Sequence, residues 1–219
     1  MTTTSISEQV SEFNLGFTAQ IGPELSAVFD QEQQDLTRAG TPVDAITLGH
    51  IVADAQLVGL DGQFVKLSSV TAGRAAVLVF YRGAWCPYCN ITLRTYEREL
   101  RPQLDRLGVA LVAISPQTPD GSTAAAQGGG LNFPVLSDPS NAFVRALGIL
   151  TEPTAAARVA HTALGFDVAD SNADSTAGIP FPTVLIIDAD RTVRFADVQV
   201  DYTRRTEVPE IIKALAFIS

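Results

Sequence analysis

The stretch VFYRGAWCPYCN, residues 79–90, contains both cysteines of this 219-residue chain. The apolar run AAVLVFY (75–81) leads into it, and such a run is typical of a central strand buried on both faces. A segment with helical periodicity follows at 90–108, and a second apolar run, VALVAIS, at 109–115. These pieces predict a βαβ unit, in which a right-handed helical crossover joins two parallel strands.

Other segments extend this pattern. In chain order we predict a strand hairpin at 55–67, a loop or short helix at 117–130, a strand at 133–138, a helix at 139–149, a buried strand at 182–190 that turns into a strand at 191–198, and a helix at 207–218. Residues 151–180 carry small and polar residues and predict an irregular insertion over the surface. The fold class that follows is α/β, with a mixed central sheet flanked by helices.

The N-terminal segment has a helical pattern of its own. Its apolar residues recur every three or four positions from Val10 to Val28, and Gly22-Pro23 interrupts the stripe. The predicted boundaries are helices at 6–21 and 23–38, an N-terminal helical extension at 1–45 and one α/β domain at 46–219. The stripe packs on its own domain in one interpretation; in another it also helps to build a homodimer.

Composition and charge limit the classes of function. Apolar residues make up 46% and charged residues 18% of the chain, an ordinary globular composition. A net charge of −9 disfavours nucleic acid and anionic membranes as partners, because both repel an acidic surface. No apolar run approaches the roughly 18 residues of a membrane span, and the start, MTTTSISEQVSEF, lacks the regions of a secretory signal. We therefore expect a cytoplasmic protein whose thiols are kept reduced.

Three kinds of site could use Cys86 and Cys89. A structural disulfide would close only a four-residue loop here, which in the chain-entropy model stabilises by only about 2 kcal/mol. A structural zinc site needs four cysteine or histidine ligands. The chain's two histidines, His50 and His161, lack ligand spacing and are expected at the surface or in loops. A metal site shared between chains stays open, and a redox centre is the third alternative.

A redox centre agrees best with the local sequence. The pair follows a buried strand and opens a helix, and Pro87 suits the first helical position. A thiol there faces unpaired backbone N–H groups and the positive end of the helix, which both favour the thiolate. Arg82 would add positive charge; the alternative is an ordinary surface arginine.

Two short motifs resemble the thioredoxin-fold superfamily. The tetrapeptide CPYC (86–89) is the one typical of glutaredoxins, and Trp85 before it is similar to the thioredoxin signature. The second motif is IPFPT, which ends in Pro182 and Thr183 before a strand. Thioredoxin-like proteins carry a cis-proline before a threonine there, facing the dithiol. The resemblance therefore implies a cis bond at Pro182.

The wider sequence resembles the peroxiredoxin branch, the alkyl hydroperoxide reductase and thiol-specific antioxidant (AhpC/TSA) family. The blocks that carry this resemblance are VLVFYRGAWCPYC, VALVAISPQ, FPVLSDPSNAFVRALGI and TVLIIDADRTVRFADV, in the family's order over roughly residues 47–218. The N-terminal helices and DYTRR (201–205) suit a bacterial subgroup with a CxxC motif. The resemblance implies a thioredoxin-like fold.

It also implies an activity. The expected function is a thiol-dependent peroxidase that reduces hydrogen peroxide or organic hydroperoxides through a Cys86/Cys89 dithiol–disulfide cycle. A thioredoxin-like protein or a low-molecular-weight thiol would regenerate the dithiol, and no metal, haem or flavin is needed. The alternatives are a thiol–disulfide reductase and a non-catalytic redox sensor or metal-binding module.

The two resemblances disagree about the attacking cysteine. The peroxiredoxin pattern FYPxxxTxxC places Arg82 on its proline, Cys86 on its threonine and Cys89 on the peroxidatic cysteine. This chain also has Pro182-Thr183 where those proteins place an arginine, so both peroxide-orienting groups are expected to be missing. The resemblance to glutaredoxins instead implies that Cys86 attacks, and we expect Cys86 to be the more exposed and more acidic thiol.

Overall fold

The structure is a computed structural model that describes residues 4–217. Residues 1–3 of the predicted helical extension and residues 218–219 after the last helix lie outside the described residues. The helices are α1 (Ile6–Ala39), α2 (Leu67–Thr71), α3 (Pro87–Thr95), α4 (Arg101–Leu107), α5 (Pro119–Gly129), α6 (Ala142–Ala146), α7 (Ala155–Ala163), α8 (Val168–Ser171) and α9 (Val208–Leu215). The strands are β1 (Gln56–Val58), β2 (Phe64–Lys66), β3 (Ala76–Phe80), β4 (Ala110–Ser115), β5 (Val135–Ser137), β6 (Leu150–Thr151), β7 (Ile179–Pro180), β8 (Thr183–Ile187) and β9 (Val193–Val198). Within residues 4–217, no helix is both long and apolar enough to cross a membrane.

A seven-stranded mixed sheet forms the centre of the fold, in the order β2-β1-β5-β4-β3-β8-β9. Strands β3 and β4 are parallel, with Ala76 opposite Ala110, and every residue of both strands is buried. Strand β8 runs antiparallel to β3, and β9 antiparallel to β8. The predicted βαβ unit and mixed α/β fold are confirmed, because the apolar runs fill a sheet with a hydrophobic cluster on each face.

The helix that the cysteine pair was predicted to open is confirmed, with Cys86 as the N-cap of α3 and Pro87 as its first residue. It does not continue to Gly108 as a single regular helix. A π-helical turn, Tyr96–Leu100, joins α3 to α4. Within this turn the buried Tyr96 hydroxyl donates to the Thr206 carbonyl at 2.6 Å. The widened turn thus ties the helix to the segment before α9.

Helix α1 packs along its own domain. Its two predicted halves meet at Gly22, where φ of 81° and ψ of 169° break the helical geometry before Pro23. Ile6 is buried in the core. The Glu207 carboxylate accepts hydrogen bonds from the backbone N–H groups of Ile6 and Ser7 at 3.0 and 2.8 Å. The interpretation that the N-terminal stripe packs on its own domain is confirmed.

The segment 151–180 is not irregular, so that prediction is wrong. It contains α7 and α8, and its ends pair as the antiparallel strands β6 and β7. The Thr154 hydroxyl accepts from the backbone N–H of Ala157 at 3.1 Å and caps α7. The Asp167 carboxylate caps α8 in the same way. Both helices are short, and their signals are single capping residues rather than a long apolar stripe.

Gly148 generates a stability prediction. Its φ is 65°, and a Cβ there would overlap the backbone carbonyl of Asp44. The segment that contains Asp44 is held against Gly148, because the Ile46 N–H donates to the Leu147 carbonyl at 2.8 Å. We predict that Gly148→Ala lowers the free energy of unfolding by about 2 kcal/mol or more. Gly128→Ala is the control, since open space surrounds that helical glycine, and it should raise stability by about 0.5 kcal/mol. Urea unfolding measures both; equal stabilities would contradict the packing of Asp44 against Gly148.

Candidate active site

Cys86 and Cys89 lie where β3 passes into α3. Cys86 is the N-cap residue, and Cys89 lies in the first turn of the helix. Both are free thiols, and their exposed fractions are 1% and 0%. Neither sulfur is open to solvent, so the expected greater exposure of Cys86 is not found.

Arg205 lies directly against the two sulfurs. Its guanidinium donates to the Cys89 sulfur at 3.2 Å and lies 4.0 Å from the Cys86 sulfur. The same guanidinium also donates to the backbone carbonyls of Tyr202 and Arg204, which hold it in place. The site therefore contains an arginine beside the reactive sulfurs, and the expectation that this group is missing is wrong. It comes from the segment between β9 and α9 rather than from the position of Pro182-Thr183.

The surroundings of the two cysteines shift their pKa values in opposite directions. Burial by itself raises the pKa of Cys89, but the hydrogen bond from Cys86, the charge of Arg205 and the backbone N–H of Arg82 together bring that pKa below its ordinary value. Burial, followed by the hydrogen bond and the negative charge of Cys89, raises the pKa of Cys86 well above its ordinary value. The first proton therefore leaves Cys89 while Cys86 keeps its own. The direction of these shifts runs against the expectation that Cys86 is the more acidic thiol, because the hydrogen bond from Cys86 and the nearby Arg205 guanidinium both favour the charge on Cys89.

Arg82 is not a surface arginine. Its exposed fraction is 5%, and the carbon at the centre of its guanidinium lies 4.2 Å from the centre of the Tyr202 ring and 5.0 Å from that of Trp85. These are cation–π distances. Its positive charge also favours the Cys89 thiolate. The interpretation that Arg82 adds positive charge to the site is therefore supported.

The peptide bond before Pro182 is trans, and none of the peptide bonds in residues 4–217 is cis. The prediction of a cis bond is wrong. The chain passes almost straight from β7 into β8: the Phe181 N–H donates to the Ile149 carbonyl at 2.8 Å, and the Pro182 carbonyl accepts from the Gln199 N–H at 2.9 Å. An extended backbone satisfies both bonds with an ordinary trans peptide.

Pro182 and Thr183 nevertheless lie beside the dithiol. Both line a cavity of about 10 Å³ together with Cys89 and Arg205. That volume is close to the minimum for one water molecule. The Thr183 hydroxyl donates to the Phe181 carbonyl at 2.8 Å, so it is committed to the backbone. Pro182 and Thr183 therefore form part of the cavity wall beside Cys89.

A larger cavity of about 270 Å³ opens onto Cys86. We call it the aromatic pocket, because six aromatic rings from four parts of the chain line it: Phe17, Phe29, Trp85, Tyr88, Phe166 and Tyr202. Helix α1 supplies one side, and the segment that includes α7 supplies the other. The Tyr88 hydroxyl donates to the Asn14 side chain at 2.8 Å and fixes α1 against α3. The pocket is the wider of the two approaches to the sulfurs.

His161 belongs to this pocket. His50 is exposed as expected, but His161 is only 5% exposed, so the expectation of a surface or loop position is wrong for it. Its ring centre lies 4.7 Å from that of Phe166 and 5.6 Å from that of Trp85. Burial, and then the charge of Arg82, lower the pKa of His161 to about 4. The ring is therefore neutral at pH 7, and its Nδ1 has no hydrogen-bond partner in the described structure.

Sequence reasoning located the cysteines, Trp85, Arg82, Pro87, Pro182 and Thr183, and the structure brings all of them together. It missed the functional position of Arg205 and the contributions of His161 and α1. The DYTRR segment was the signal for Arg205. Nothing in the local sequence indicates which of its two arginines faces the sulfurs.

Comparison with known proteins gives a consistent result. A model of the AhpC/TSA family matches residues 48–196. A Haemophilus influenzae protein described as "Putative peroxiredoxin bcp" is 28% identical over 110 residues, which are 50% of this chain and 70% of that protein. Peroxidoxin BcpB of Mycobacterium tuberculosis superposes with a TM-score of 0.58 at 21% identity, over 78% of this chain and 95% of that one. Reduced Prx3 of Vibrio vulnificus, solved with hydrogen peroxide, has a TM-score of 0.62 at 21% identity, over 78% and 99%. The two structures share the fold of this chain.

The position of Arg205 generates a prediction about acidity. A lowered pKa keeps the Cys89 thiolate present down to a pH below that of an ordinary cysteine, and it is lost only as the pH falls through that pKa. We predict one thiolate per reduced chain at pH 7, measured by absorbance at 240 nm. Arg205→Gln should move this titration upward by about one unit or more. Arg204→Gln, at an exposed neighbour, is the control, and an Arg205→Gln curve that superposes on wild type would contradict the assignment.

Proposed function

The chain belongs to the AhpC/TSA family, and we propose that it is a thiol-dependent peroxidase that works through a Cys86/Cys89 dithiol–disulfide cycle. The substrates are hydrogen peroxide or organic hydroperoxides. The observation that carries the residue assignment is the Arg205 guanidinium at 3.2 Å from the Cys89 sulfur. A cation at this distance holds Cys89 as the thiolate, which is the nucleophilic form of cysteine.

In the first step the Cys89 thiolate attacks the terminal oxygen of the hydroperoxide. The S–O bond forms as the O–O bond breaks, Cys89 becomes a sulfenic acid, and the peroxide is reduced to an alcohol or to water. The Cys86 thiol, hydrogen-bonded to Cys89, supplies the proton that the departing oxygen needs. Arg205 and the backbone N–H of Arg82 face the charge that moves between sulfur and oxygen.

In the second step Cys86 acts as the resolving thiol. Having given up its proton, it is a thiolate beside the Cys89 sulfenic acid, and it attacks that sulfur. The S–S bond forms, hydroxide leaves and takes a proton from solvent, and the pair ends as a disulfide. The disulfide can form locally, because Cys86 and Cys89 both lie at the start of α3. An external dithiol then reduces the disulfide by thiol–disulfide exchange.

The burial of the sulfurs favours a peroxidase over a disulfide reductase. Attack on a protein disulfide needs a sulfur that a bulky partner can reach. Cys86 and Cys89 are 1% and 0% exposed, whereas the reactive end of a hydroperoxide is only two oxygen atoms long and fits an internal cavity. Regeneration by a small thiol, or by a thioredoxin-like protein after local opening of the site, is compatible with this arrangement.

Several features remain predictions. They are the cytoplasmic location, a homodimer, the absence of nucleic-acid and membrane partners, and the division into an extension at 1–45 and a domain at 46–219. The proposed cycle itself needs no metal, haem or flavin. Within residues 4–217 the two cysteines have no third cysteine, histidine or carboxylate with which to hold a metal ion.

Serine substitutions test the assigned roles. Hydrogen peroxide should convert the reduced wild-type protein to a species lighter by two hydrogens. Cys89→Ser should slow the first reaction roughly 10³-fold or more, because it removes the nucleophile. Cys86→Ser should still react once and accumulate a sulfenic acid that dimedone traps. Stopped-flow kinetics and intact-protein mass spectrometry measure both steps.

Cys86→Ala sharpens this test. Serine keeps an O–H group that can donate to the Cys89 thiolate, and alanine does not. The first reaction should therefore be slower in Cys86→Ala than in Cys86→Ser at pH 7. The roles would be reversed if Cys89→Ser kept the fast first reaction and Cys86→Ser lost it.

A further inference from the structure

The aromatic pocket is larger than hydrogen peroxide needs. Its volume is about 270 Å³, whereas one water occupies roughly 30 Å³ of liquid. Six aromatic rings line it, and pockets of this size with an apolar lining bind small organic molecules. Cys86 lines the pocket, and the Arg205 guanidinium lies against the sulfurs of both Cys86 and Cys89. A hydroperoxide bound here would have its substituent in the pocket and its reactive end at Cys86, next to Cys89.

A buried cation faces the same pocket. The Arg82 guanidinium makes no hydrogen bond and no ion pair with any residue in 4–217, and its only contacts of known type are with the Trp85 and Tyr202 rings. A buried guanidinium is costly unless its N–H groups are hydrogen-bonded, and the Cys89 thiolate, which Arg82 favours through charge alone, leaves these groups without an acceptor. Arg205 already holds the sulfurs, so the donors of Arg82 remain available. They match a carboxylate, which an arginine can bind with two parallel hydrogen bonds.

Glu32 lies near Arg82 but forms no ion pair with it in residues 4–217. It lines a separate small cavity with Arg82 and Tyr202, and its Oε1 accepts from the Thr154 N–H at 2.8 Å. Its Oε2 is buried without a hydrogen-bond partner in the described structure. A second unpartnered group, Nδ1 of His161, is buried in the pocket wall. The pocket thus combines apolar rings with unused polar groups.

We propose that the aromatic pocket binds an aromatic hydroperoxide that carries a carboxylate, and that this class of substrate is preferred over hydrogen peroxide. The ring packs among Phe17, Trp85 and Phe166, and the carboxylate pairs with Arg82. The inference rests on the proposed peroxidase function for its catalytic part. Its binding part can be measured on the reduced protein without any reaction.

Trp85 provides the binding signal, because it is the one tryptophan of the chain and lies in the pocket wall. The probes are the unreactive pair 4-isopropylbenzoate and 4-isopropylbenzamide, which have nearly the same shape and differ in charge. We expect the benzoate to quench the fluorescence saturably and to bind at least about tenfold more tightly than the amide, the gain of one charge-assisted contact. Equal affinities, or no binding of either probe, would overturn the proposal.

Single substitutions test whether the probes bind in the aromatic pocket. Arg82→Met should reduce the benzoate-to-amide ratio to about one, and Phe17→Ala should weaken both probes. Leu15→Ala is the matched control, because Leu15 lies two residues away on α1 with 79% of its surface exposed, and it should change neither probe. An unchanged ratio in Arg82→Met, in protein with a native circular dichroism spectrum, would exclude Arg82 as the carboxylate partner.

Oxidation kinetics distinguish the proposed peroxidase function from the proposed substrate preference. The 4-carboxylate of cumene hydroperoxide should oxidise reduced wild-type protein at least about tenfold faster than hydrogen peroxide does, and the advantage should disappear in Arg82→Met. Fast oxidation by every peroxide without any advantage of the carboxylate would overturn the inference and leave the peroxidase function standing. Tight benzoate binding with no oxidation by any peroxide would instead overturn the peroxidase function and leave the binding site.

Discussion

The contact between Arg205 and the sulfurs is the interaction on which the rest of the site depends. It joins positions that are 116 residues apart in the chain, so it exists only when the sheet is complete. Four other hydrogen bonds fix the segment that carries Arg205. The Tyr96 hydroxyl binds the Thr206 carbonyl, the Thr206 hydroxyl binds the Asp197 carboxylate at 2.7 Å, and Glu207 binds the start of α1. The acidity of Cys89 is therefore a property of the whole fold rather than of the CPYC motif.

The central sheet could be predicted from sequence because it depends on local pattern. The β3 and β4 runs are uninterrupted and apolar, and the cysteine pair with Pro87 follows the first of them. The trans bond at Pro182 was not predictable from the IPFPT motif, since it depends on hydrogen bonds to Ile149 and Gln199 elsewhere in the chain. The same applies to the burial of His161, which results from the packing of α7 on α1 and Trp85.

The family match and the site do not cover the same residues. The match spans residues 48–196, whereas Arg205, Tyr202 and the α1 residues of the aromatic pocket all lie outside it. The matched part contains the sheet and both cysteines, which suffice for a generic dithiol. The parts outside it supply the guanidinium that contacts Cys89 and one wall of the pocket. The two ends of the chain thus complete the surroundings of the sulfurs.

Stabilising the Cys89 thiolate also affects the regeneration step of the proposed cycle, in which the disulfide is reduced. Arg205 and Arg82 interact with the reduced, charged pair, and a Cys86–Cys89 disulfide carries no charge for them to neutralise. These contacts therefore favour the dithiol over the disulfide, and a dithiol stabilised in this way makes the disulfide a stronger oxidant. A disulfide of that kind is readily reduced by an external thiol. In the proposed cycle, the same two arginines that favour the Cys89 thiolate would thus also make the disulfide easy to reduce, even though both sulfurs are buried.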